Sequence, residues 1–257
     1  MPQITVAGHA IEYCWIEAGD PGRTAPLPTL IFLHEGLGSI PQWRDFPARV
    51  AKATGCRALL YDRYGYGNSD VLAEDRVGVD FMHREAFAVL PEIVSKLEID
   101  NPILVGHSDG ASIALIYAGG HPARGVAVMA PHVFIEQICI TSIVQARKQF
   151  ETTDLPQRLG KYHRESWKTF YHWADAWLDP AFLAWNIEEY LPGIRCPVLA
   201  IQGEADEYGT MAQLDAIQRQ VGGPCELLKL PQCGHSPHKD QPEKVVGAVG
   251  RFIRSIL

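Results

Sequence analysis

Residues 102–120 read PILVGHSDGASIALIYAGG, and this stretch decides the fold. The apolar run Ile103–Val105 is followed by Gly106-His107-Ser108-Asp109-Gly110 and then by small and apolar residues with helical spacing. A strand that passes into a helix through so short a turn forces a strained backbone on the central residue. Glycine two positions before and two positions after leaves the room that such a turn needs. The stretch therefore predicts a buried strand, a tight turn that presents Ser108, and a helix behind it.

Short apolar runs recur along the chain, and each is followed by a turn and a segment with helical spacing. The predicted parallel strands are Leu30–His34, Ala58–Asp62, Ile103–His107, Val126–Ala130, Val198–Gln202 and Glu226–Leu230. The predicted helices lie at about Trp43–Thr54, Asp80–Leu97, Ala111–Gly119, Met211–Val221 and Pro242–Ile256. Residues 4–18 alternate like an antiparallel hairpin. Strands that alternate with helices predict an α/β fold, in which helices flank a mostly parallel, twisted sheet.

The segment from Ile135 to about Pro192 breaks this alternation. It has helical spacing, many aromatic residues and no strand pattern, and it is too long for a simple connection between strands. We predict a helical cap at residues 135–190, inserted between strands of a core formed by residues 1–134 and 191–257. Such a cap would cover the carboxyl ends of the strands, where the working groups of these folds lie.

Five segments carry a resemblance to a known family. They are LHEGLGS (33–39), DRYGYGNSD (62–70), GHSDG (106–110), QGEADEYG (202–209) and CGHSPH (233–238). In this order they resemble the α/β-hydrolase superfamily, in particular its capped bacterial serine esterases, and the resemblance covers nearly the whole chain. It implies an α/β-hydrolase fold with an inserted cap, and a nucleophile at Ser108.

A serine nucleophile needs a base to take its proton and an acid to orient that base. In the fold with this strand–turn–helix elbow, the acid and then the histidine follow the serine along the chain. Asp206 lies in a loop after a predicted strand and three residues beyond Gly203, which matches the family pattern. Glu204 and Glu207 share the loop, and Glu204 is the alternative acid.

The predicted base is His235, which follows the last predicted strand directly after Gly234. The glycine gives a loop that can bend the imidazole toward the elbow. His238 is the rival, but sequence order and the loop at the strand end both favour His235. The predicted catalytic triad is therefore Ser108, Asp206 and His235.

A tetrahedral intermediate also needs two N–H donors aimed at its oxygen. One predicted donor of this oxyanion hole is the backbone N–H of Asp109, whose acidic side chain complements the dipole of the following helix. Counting from His34 places the other predicted donor at the N–H of Gly36. Many relatives have glycine directly after this histidine, where this chain has Glu35, so the N–H of Glu35 is the alternative donor. The Glu35 carboxylate should then lie near the pocket, and we expect it to discourage anionic substrates.

Four residues are predicted to contact the substrate: Glu35, His107, Trp167 and Tyr171. His107 precedes the nucleophile, and a histidine there is usually structural or part of a pocket wall. Trp167 and Tyr171 begin a helical stripe in the cap. More than half of the cap aromatics should pack the cap onto the core, and the others should line an apolar pocket.

The predicted reaction is hydrolysis of a carboxylic ester with an apolar or aromatic group, through an acyl-enzyme and without a cofactor. The same triad also serves thioesterases, lactonases, amidases and hydrolases that cleave the C–C bond of ring-fission diketones. C–C cleavage is the main alternative, because a capped, aromatic-rich layout also suits a ring-derived diketone. A non-catalytic ligand-binding module is the third alternative, since a fold does not dictate function.

Composition and charge limit the classes of molecule that this protein is expected to bind. The formal net charge of the 257 residues is −7, and no dense Lys/Arg block occurs, which argues against nucleic acid and anionic membranes. The histidines lack metal-ligand spacing, so no metal is predicted. The N-terminus alternates like a strand and carries no signal-peptide pattern, which favours the cytoplasm. We expect a monomer or homodimer that acts on a small-molecule ester.

Overall fold

The computed structural model describes residues 1–18, 27–74 and 77–257. Within them, one eight-stranded sheet has the order β1-β2-β4-β3-β5-β6-β7-β8. The strands are β1 (Gln3–Val6), β2 (His9–Ile16), β3 (Leu30–Leu33), β4 (Ala58–Tyr61), β5 (Ile103–His107), β6 (Gly125–Met129), β7 (Val198–Gly203) and β8 (Cys225–Leu230). Strand β2 is antiparallel to both of its neighbours, and the other pairs are parallel. The predicted α/β architecture is confirmed.

The helices connect these strands and cover both faces of the sheet. They are α1 (Phe46–Thr54), α2 (Phe81–Arg84), α3 (Leu90–Lys96), α4 (Asp109–Gly120), α5 (Gln137–Thr152), α6 (Leu155–Leu159), α7 (Ser166–Leu178), α8 (Ala212–Gln220), α9 (Pro237–Asp240) and α10 (Pro242–Ser255). Short 3-10 segments occupy Ile40–Trp43, Pro180–Ala184 and Glu188–Gly193. Among the described residues, no helix has the length and apolarity needed to cross a lipid bilayer.

Two predicted helices differ in detail from the observed ones. The predicted helix Trp43–Thr54 is a 3-10 turn that ends at Trp43, followed by α1. A continuous helix would place the ring of Pro47 against the carbonyl of Trp43, so the chain breaks between them, and Pro47 sits in the first turn of α1. The predicted helix Asp80–Leu97 contains a wider π-helical turn at Glu85–Val89, between α2 and α3.

The hydrophobic core lies on both faces of the sheet, because the central strands alternate their side chains between two helical layers. Ile31, Leu59 and Leu104 face the layer that contains α3 and α4. Phe32, Leu60 and Val105 face the layer that contains α1 and α10. The central strands are therefore buried on both faces, and they hold the loops at their carboxyl ends rigidly.

Helices α5, α6 and α7 lie between β6 and β7, where the sequence predicts the cap. They contact the loop after β4. The Thr169 hydroxyl donates to the Gly65 carbonyl at 2.8 Å, and the Gly67 N–H donates to Nδ1 of His163 at 2.9 Å. The division into a core and a cap with the predicted bounds stays a prediction.

The parallel register brings the carboxyl ends of the strands to one edge. Leu33 at the end of β3 pairs with Gly106 in β5, and His107 pairs with Met129 at the end of β6. The loops after β3, β4, β5 and β7 therefore meet at this edge. These loops hold most of the site residues that are predicted from the sequence.

Candidate active site

Ser108 lies on a strained turn between β5 and α4. Its φ of 53° and ψ of −119° are in a region that side chains other than glycine rarely adopt. A Cβ on Gly106 would lie 2.4 Å from the Gly110 carbonyl oxygen, and one on Gly110 would lie 2.0 Å from the Leu33 carbonyl oxygen. Both positions therefore require glycine, and the tight turn predicted from the sequence is present.

The structure brings Ser108, His235 and Asp206 into one hydrogen-bonded chain. Nε2 of His235 lies 2.8 Å from Oγ of Ser108, and Nδ1 of His235 lies 2.8 Å from Oδ1 of Asp206. Because a carboxylate only accepts, Nδ1 carries the proton, and Nε2 is free to accept the serine hydroxyl. The arrangement can deprotonate Ser108.

Other contacts hold the Asp206 carboxylate in its ionised form. Its Oδ1 also accepts the Tyr208 N–H at 2.8 Å, and its Oδ2 accepts Nε2 of Gln202 at 3.3 Å. Burial by itself would raise the pKa of Asp206. The hydrogen bond and charge of His235, together with the Tyr208 N–H, outweigh burial and lower that pKa below its usual value.

The alternative acid and base lie elsewhere. Glu204 is exposed, and its N–H donates to the Leu230 carbonyl, whereas the carboxylate that meets His235 Nδ1 is that of Asp206. His238 is buried, and its ring centroid lies 5.1 Å from that of Trp43. Burial, reinforced by the charge of His107, holds the pKa of His238 well below its usual range.

Three donors converge on the carbonyl oxygen of Glu35, in the loop after β3. They are Nδ1 of His34 at 2.7 Å, Nη2 of Arg63 at 2.9 Å and the N–H of Gly38 at 3.0 Å. Nε2 of His34 accepts the Arg63 backbone N–H at 3.1 Å, which places the imidazole proton on Nδ1. Burial and the charge of Arg63 hold the pKa of His34 well below its usual value, so this donor is neutral.

The three hydrogen bonds to the Glu35 carbonyl oxygen thus fix the orientation of the Glu35–Gly36 peptide. In a trans peptide the carbonyl and the N–H point in opposite directions, so the Gly36 N–H points away from the Arg63 guanidinium. The other predicted donor, the N–H of Asp109, belongs to the first residue of α4 and has no acceptor within its own helix. The participation of both N–H groups in an oxyanion hole stays a prediction.

The family is decided by comparison with known proteins. A model of the alpha/beta hydrolase family matches residues 30–248. The chain belongs to the α/β-hydrolase family. The chain spans less than half of the length of the first curated relatives that it matches.

Relatives of this α/β-hydrolase carry several activities in their names. Proline iminopeptidase from Lactobacillus delbrueckii subsp. lactis is 31% identical over 119 residues, which span 46% of this chain and 39% of that protein. An sn-1-specific diacylglycerol lipase from Mus musculus is 23% identical and matches 89% of this chain and 82% of its own. A carboxylesterase structure from Nitrososphaera gargenis superposes with a TM-score of 0.77 at 16% identity, over 99% of this chain and 98% of that one.

In this member of the α/β-hydrolase family, the Glu35 side chain is part of a charged network. Its carboxylate is 17% exposed and lies 2.9 Å from Nζ of Lys239 and 3.3 Å from Nδ1 of His107. Nε2 of His107 donates to the His235 carbonyl at 2.7 Å. Burial would raise the pKa of Glu35, but the contacts with His107 and Lys239 outweigh it and bring that pKa well below its usual value. Contact of Glu35 or His107 with a substrate, and an effect of Glu35 on anionic substrates, stay predictions.

The two predicted cap contacts lie on one side of α7. Trp167 is 54% exposed, and its ring packs edge-on against Phe150 at 4.9 Å. The Tyr171 hydroxyl lies 3.4 Å from Glu151, and the Arg147 guanidinium stacks over the Tyr171 ring at 5.1 Å. Nothing in these contacts joins the two rings to Ser108, and their contact with a substrate stays a prediction.

Two aromatic side chains of α7 face the site, Trp173 and Trp177, and they lie one helical turn apart. A Cβ on Gly36 would lie 2.1 Å from Nε1 of Trp173, so this indole lies directly against the predicted oxyanion loop. Trp177 packs edge-on against His132 at 5.1 Å. Neither Trp173 nor Trp177 is among the four substrate contacts predicted from the sequence. The spacing of four between Trp173 and Trp177 was the signal that could have identified this face.

Two further groups surround the His235 imidazole. The Tyr208 ring centroid lies 4.6 Å from that of His235, and the His132 ring lies at 5.8 Å. Burial, reinforced by the charge of His235, lowers the pKa of His132 to about 4, so His132 is neutral near pH 7. No trio of His, Cys, Asp or Glu side chains in the described ranges is arranged to hold a metal ion.

Proposed function

We propose that this α/β-hydrolase is a serine carboxylesterase that hydrolyses esters with an apolar or aromatic group through an acyl-enzyme. The observation that carries the proposal is the continuous chain from Ser108 Oγ through His235 to Asp206, with both distances at 2.8 Å. The strained Ser108 backbone at the start of α4 supports it, because this is the geometry of a nucleophile elbow.

In the acylation step, Nε2 of His235 takes the hydroxyl proton while Ser108 Oγ attacks the ester carbonyl carbon. The resulting oxyanion is stabilised by the N–H groups of Gly36 and Asp109. The proton on Nε2 is then delivered to the alkoxide that departs as an alcohol, which leaves the acyl group on Ser108. Asp206 keeps the imidazole in the required tautomer and stabilises its charged form.

In the deacylation step, the same imidazole takes a proton from a water molecule whose oxygen attacks the acyl carbon. Collapse of the second tetrahedral intermediate returns the proton to Ser108 Oγ and releases the acid. Asp109 supports this cycle through its backbone, since its carboxylate is buried and lies 3.7 Å from Nη2 of Arg63. Only the bound ester and water are consumed.

Two observations favour an ester with an apolar group. The α7 face that carries Trp173 and Trp177 packs against Gly36 and His132, so the environment of the reacting atoms is aromatic. Among the relatives, a diacylglycerol lipase and a protein phosphatase methylesterase are named for ester substrates. The second matches 88% of this chain at 24% identity.

The test is hydrolysis of p-nitrophenyl acetate, butyrate, octanoate and benzoate by the wild type, Ser108→Ala and a control. Ser255→Ala in α10 is the matched control, because its hydroxyl bonds only locally to the Phe252 carbonyl. We expect turnover by the wild type and the control, and a loss of several orders of magnitude in Ser108→Ala. Equal rates for wild type and Ser108→Ala would overturn the proposal. If a fluorophosphonate probe then labelled the wild type and Ser255→Ala but not Ser108→Ala, Ser108 would still be a reactive nucleophile. C–C hydrolysis would then become the leading alternative.

A further inference from the structure

Glu35, His107 and His235 form a continuous series of contacts that passes through the residue next to the nucleophile. Oε2 of Glu35 lies 3.3 Å from Nδ1 of His107, and Nε2 of His107 donates to the His235 carbonyl oxygen at 2.7 Å. The other oxygen of Glu35, Oε1, lies 2.9 Å from Nζ of Lys239, on α9. These contacts join the loop after β3 to the segment that carries the candidate base.

Each member of this series lies next to a group that the proposed mechanism uses. Glu35 precedes Gly36, whose N–H is a predicted donor of the oxyanion hole, and His107 precedes the nucleophile Ser108. His235 is the base itself. A displacement of Glu35 and His107 would therefore change the relative positions of the donor, the nucleophile and the base together.

The two side chains have little freedom to move. The His107 imidazole is buried, and its ring lies edge-on to Trp43 at 6.3 Å and to His238 at 4.8 Å. The Glu35 carboxylate is closely packed as well, since a Cβ on Gly38 would lie 2.5 Å from its Oε2. The pair of Glu35 and His107 can therefore transmit a fixed geometry to the groups that it contacts.

Side chains from two other segments hold the backbone of His235. His107 receives no competition from water because it is buried, and it accepts the role of donor to the His235 carbonyl. The His235 N–H donates to Oε2 of Glu207 at 3.2 Å, but Glu207 is exposed and water competes for that contact. His107 is therefore the main side chain that fixes the orientation of the His235 backbone.

The contacts of His107 determine where its protons lie. A carbonyl oxygen only accepts, so Nε2 carries a proton. Burial would raise the pKa of Glu35, but its contacts with His107 and Lys239 outweigh burial and bring that pKa well below its usual value, so Glu35 is ionised. An unprotonated Nδ1 would direct its lone pair at this negative charge, whereas a proton on Nδ1 makes the contact attractive. Both contacts are satisfied when the imidazole carries two protons.

The surrounding charges are compatible with a charged His107. The groups around its ring are Glu35 in the loop after β3, His235 in the loop after β8, and His238 and Lys239 on α9. Lys239 opposes a second positive charge, but it lies on the other oxygen of Glu35. Burial, reinforced by the charge of His107, holds the pKa of His238 well below its usual range, so His238 is neutral.

We propose that Glu35 and a doubly protonated His107 are positioning residues, which hold the His235 backbone and the loop after β3 in the geometry of the reaction. The inference rests on the proposed serine-nucleophile mechanism and adds to it two residues that act through the groups they hold. A misplacement of about 1 Å can cost about 10²-fold in rate. Loss of the pair should therefore lower kcat for every ester and leave KM nearly unchanged.

The first test compares kcat and KM of wild type, His107→Leu and His107→Gln on p-nitrophenyl acetate and butyrate. Leucine removes the donor to the His235 carbonyl, whereas the glutamine amide supplies an N–H in its place. His121→Leu is the matched control, because His121 follows α4 at its far end and stacks on Tyr117. The control should keep kcat and KM within about twofold of wild type.

We expect kcat to fall about 10- to 100-fold in His107→Leu, with KM within about twofold, and to recover to within about fivefold of wild type in His107→Gln. Recovery by glutamine would show that the hydrogen bond to the His235 carbonyl positions the base. An unchanged kcat in His107→Leu, or equal losses in the two variants, would overturn the inference.

The second test observes the protons of His107 and needs neither a substrate nor a core substitution. NMR of the ring nitrogens near neutral pH should show both nitrogens of His107 protonated in the wild type. Glu35→Gln keeps an oxygen in the loop but removes its charge, and we expect one His107 nitrogen to lose its proton in this variant. An unprotonated ring nitrogen on His107 in the wild type would contradict the inference.

The rate at which a fluorophosphonate labels Ser108 separates this inference from the proposed esterase function. Labelling depends on the nucleophile and its base but not on the choice of ester. We expect the rate constant to fall about tenfold or more in His107→Leu and to stay within about twofold in His121→Leu. An unchanged rate constant in His107→Leu would overturn the inference alone. Absence of Ser108-dependent hydrolysis of any ester, with labelling that still depends on His107, would contradict the esterase proposal alone.

Discussion

Nη2 of Arg63 lies 2.9 Å from the carbonyl oxygen of Glu35, so a buried guanidinium holds the peptide whose N–H belongs to Gly36. A hydrogen bond from a charged donor is stronger than one between neutral groups, and it polarises the peptide that accepts it. The same guanidinium lies 3.7 Å from the Asp109 carboxylate, next to the nucleophile. Arg63 thereby connects the two predicted donors of the oxyanion hole.

Arg63→Lys should therefore lower kcat by about 10- to 100-fold, with little change in KM, since the positive charge remains but the fixed geometry is lost. The measurement is steady-state kinetics, together with the inhibition constant of a boronic acid that mimics the tetrahedral intermediate. Both kcat/KM and boronate affinity should fall by similar factors. Arg57→Lys is the control, because Arg57 stacks over Trp15 instead. If boronate affinity were unchanged in Arg63→Lys, the positioning role would be excluded.

Asp206→Asn should reduce kcat by about 10⁴, because an amide facing Nδ1 favours the wrong tautomer of His235. Glu204→Gln removes a carboxylate from the same loop, but Glu204 is exposed, and we expect its kcat within about twofold of wild type. The comparison uses any ester that the wild type turns over. A large loss in Glu204→Gln with a small loss in Asp206→Asn would reverse the assignment of the acid.

Gly67→Ala should destabilise the fold by more than about 3 kcal/mol, since the position combines a positive φ with a severe clash. Its φ is 54°, and a Cβ there would lie 1.7 Å from Oδ2 of Asp62. Gly8→Ala is the matched control: its φ is 86°, but a Cβ would meet nothing within 4 Å. We expect Gly8→Ala to cost about 1–2 kcal/mol. Urea unfolding of the two variants measures the difference, and equal losses would show that the contact with Asp62 is unimportant.

The Asp62 carboxyl should make stability decrease as pH rises from about 4 to about 6. Burial raises the pKa of Asp62 from 3.8 to about 6, although its oxygens accept the N–H groups of Ile40 at 2.6 Å and Asn68 at 3.1 Å. Between these pH values the unfolded chain releases this proton while the folded chain keeps it, so the unfolded state is favoured. Above about pH 6 the effect is complete, at a total of about 3 kcal/mol.

Asp62→Asn isolates this contribution, because an amide does not titrate. The free energy of unfolding of wild type minus that of Asp62→Asn should decrease between about pH 4 and pH 6 and then level off. Urea unfolding at several pH values gives this difference directly. A difference that stays constant with pH would contradict the raised pKa of Asp62.

Much of the fold could be predicted because the signals are local. The apolar runs at Leu30–Leu33 and Ile103–His107 are short and bounded by turn residues, so each indicates a buried strand without reference to the rest of the chain. The same holds for the requirement for glycine at Gly106 and Gly110. The break before α1 was missed because two prolines a few residues apart, Pro41 and Pro47, each begin their own segment, and the apolar spacing alone did not reveal this.

The sequence by itself determined the α/β architecture and the identity of the three residues that meet at the candidate site, because strand order and motif order place Ser108, Asp206 and His235 in loops at the same sheet edge. The tertiary structure alone decided what surrounds them. Three features depend on contacts between distant segments of the chain. Arg63 holds the Glu35 carbonyl, and Glu35 pairs with Lys239. Trp173 rather than Trp167 lies against Gly36. Such contacts are set by how helices and loops pack in space, and periodicity along one segment carries no information about the partner segment.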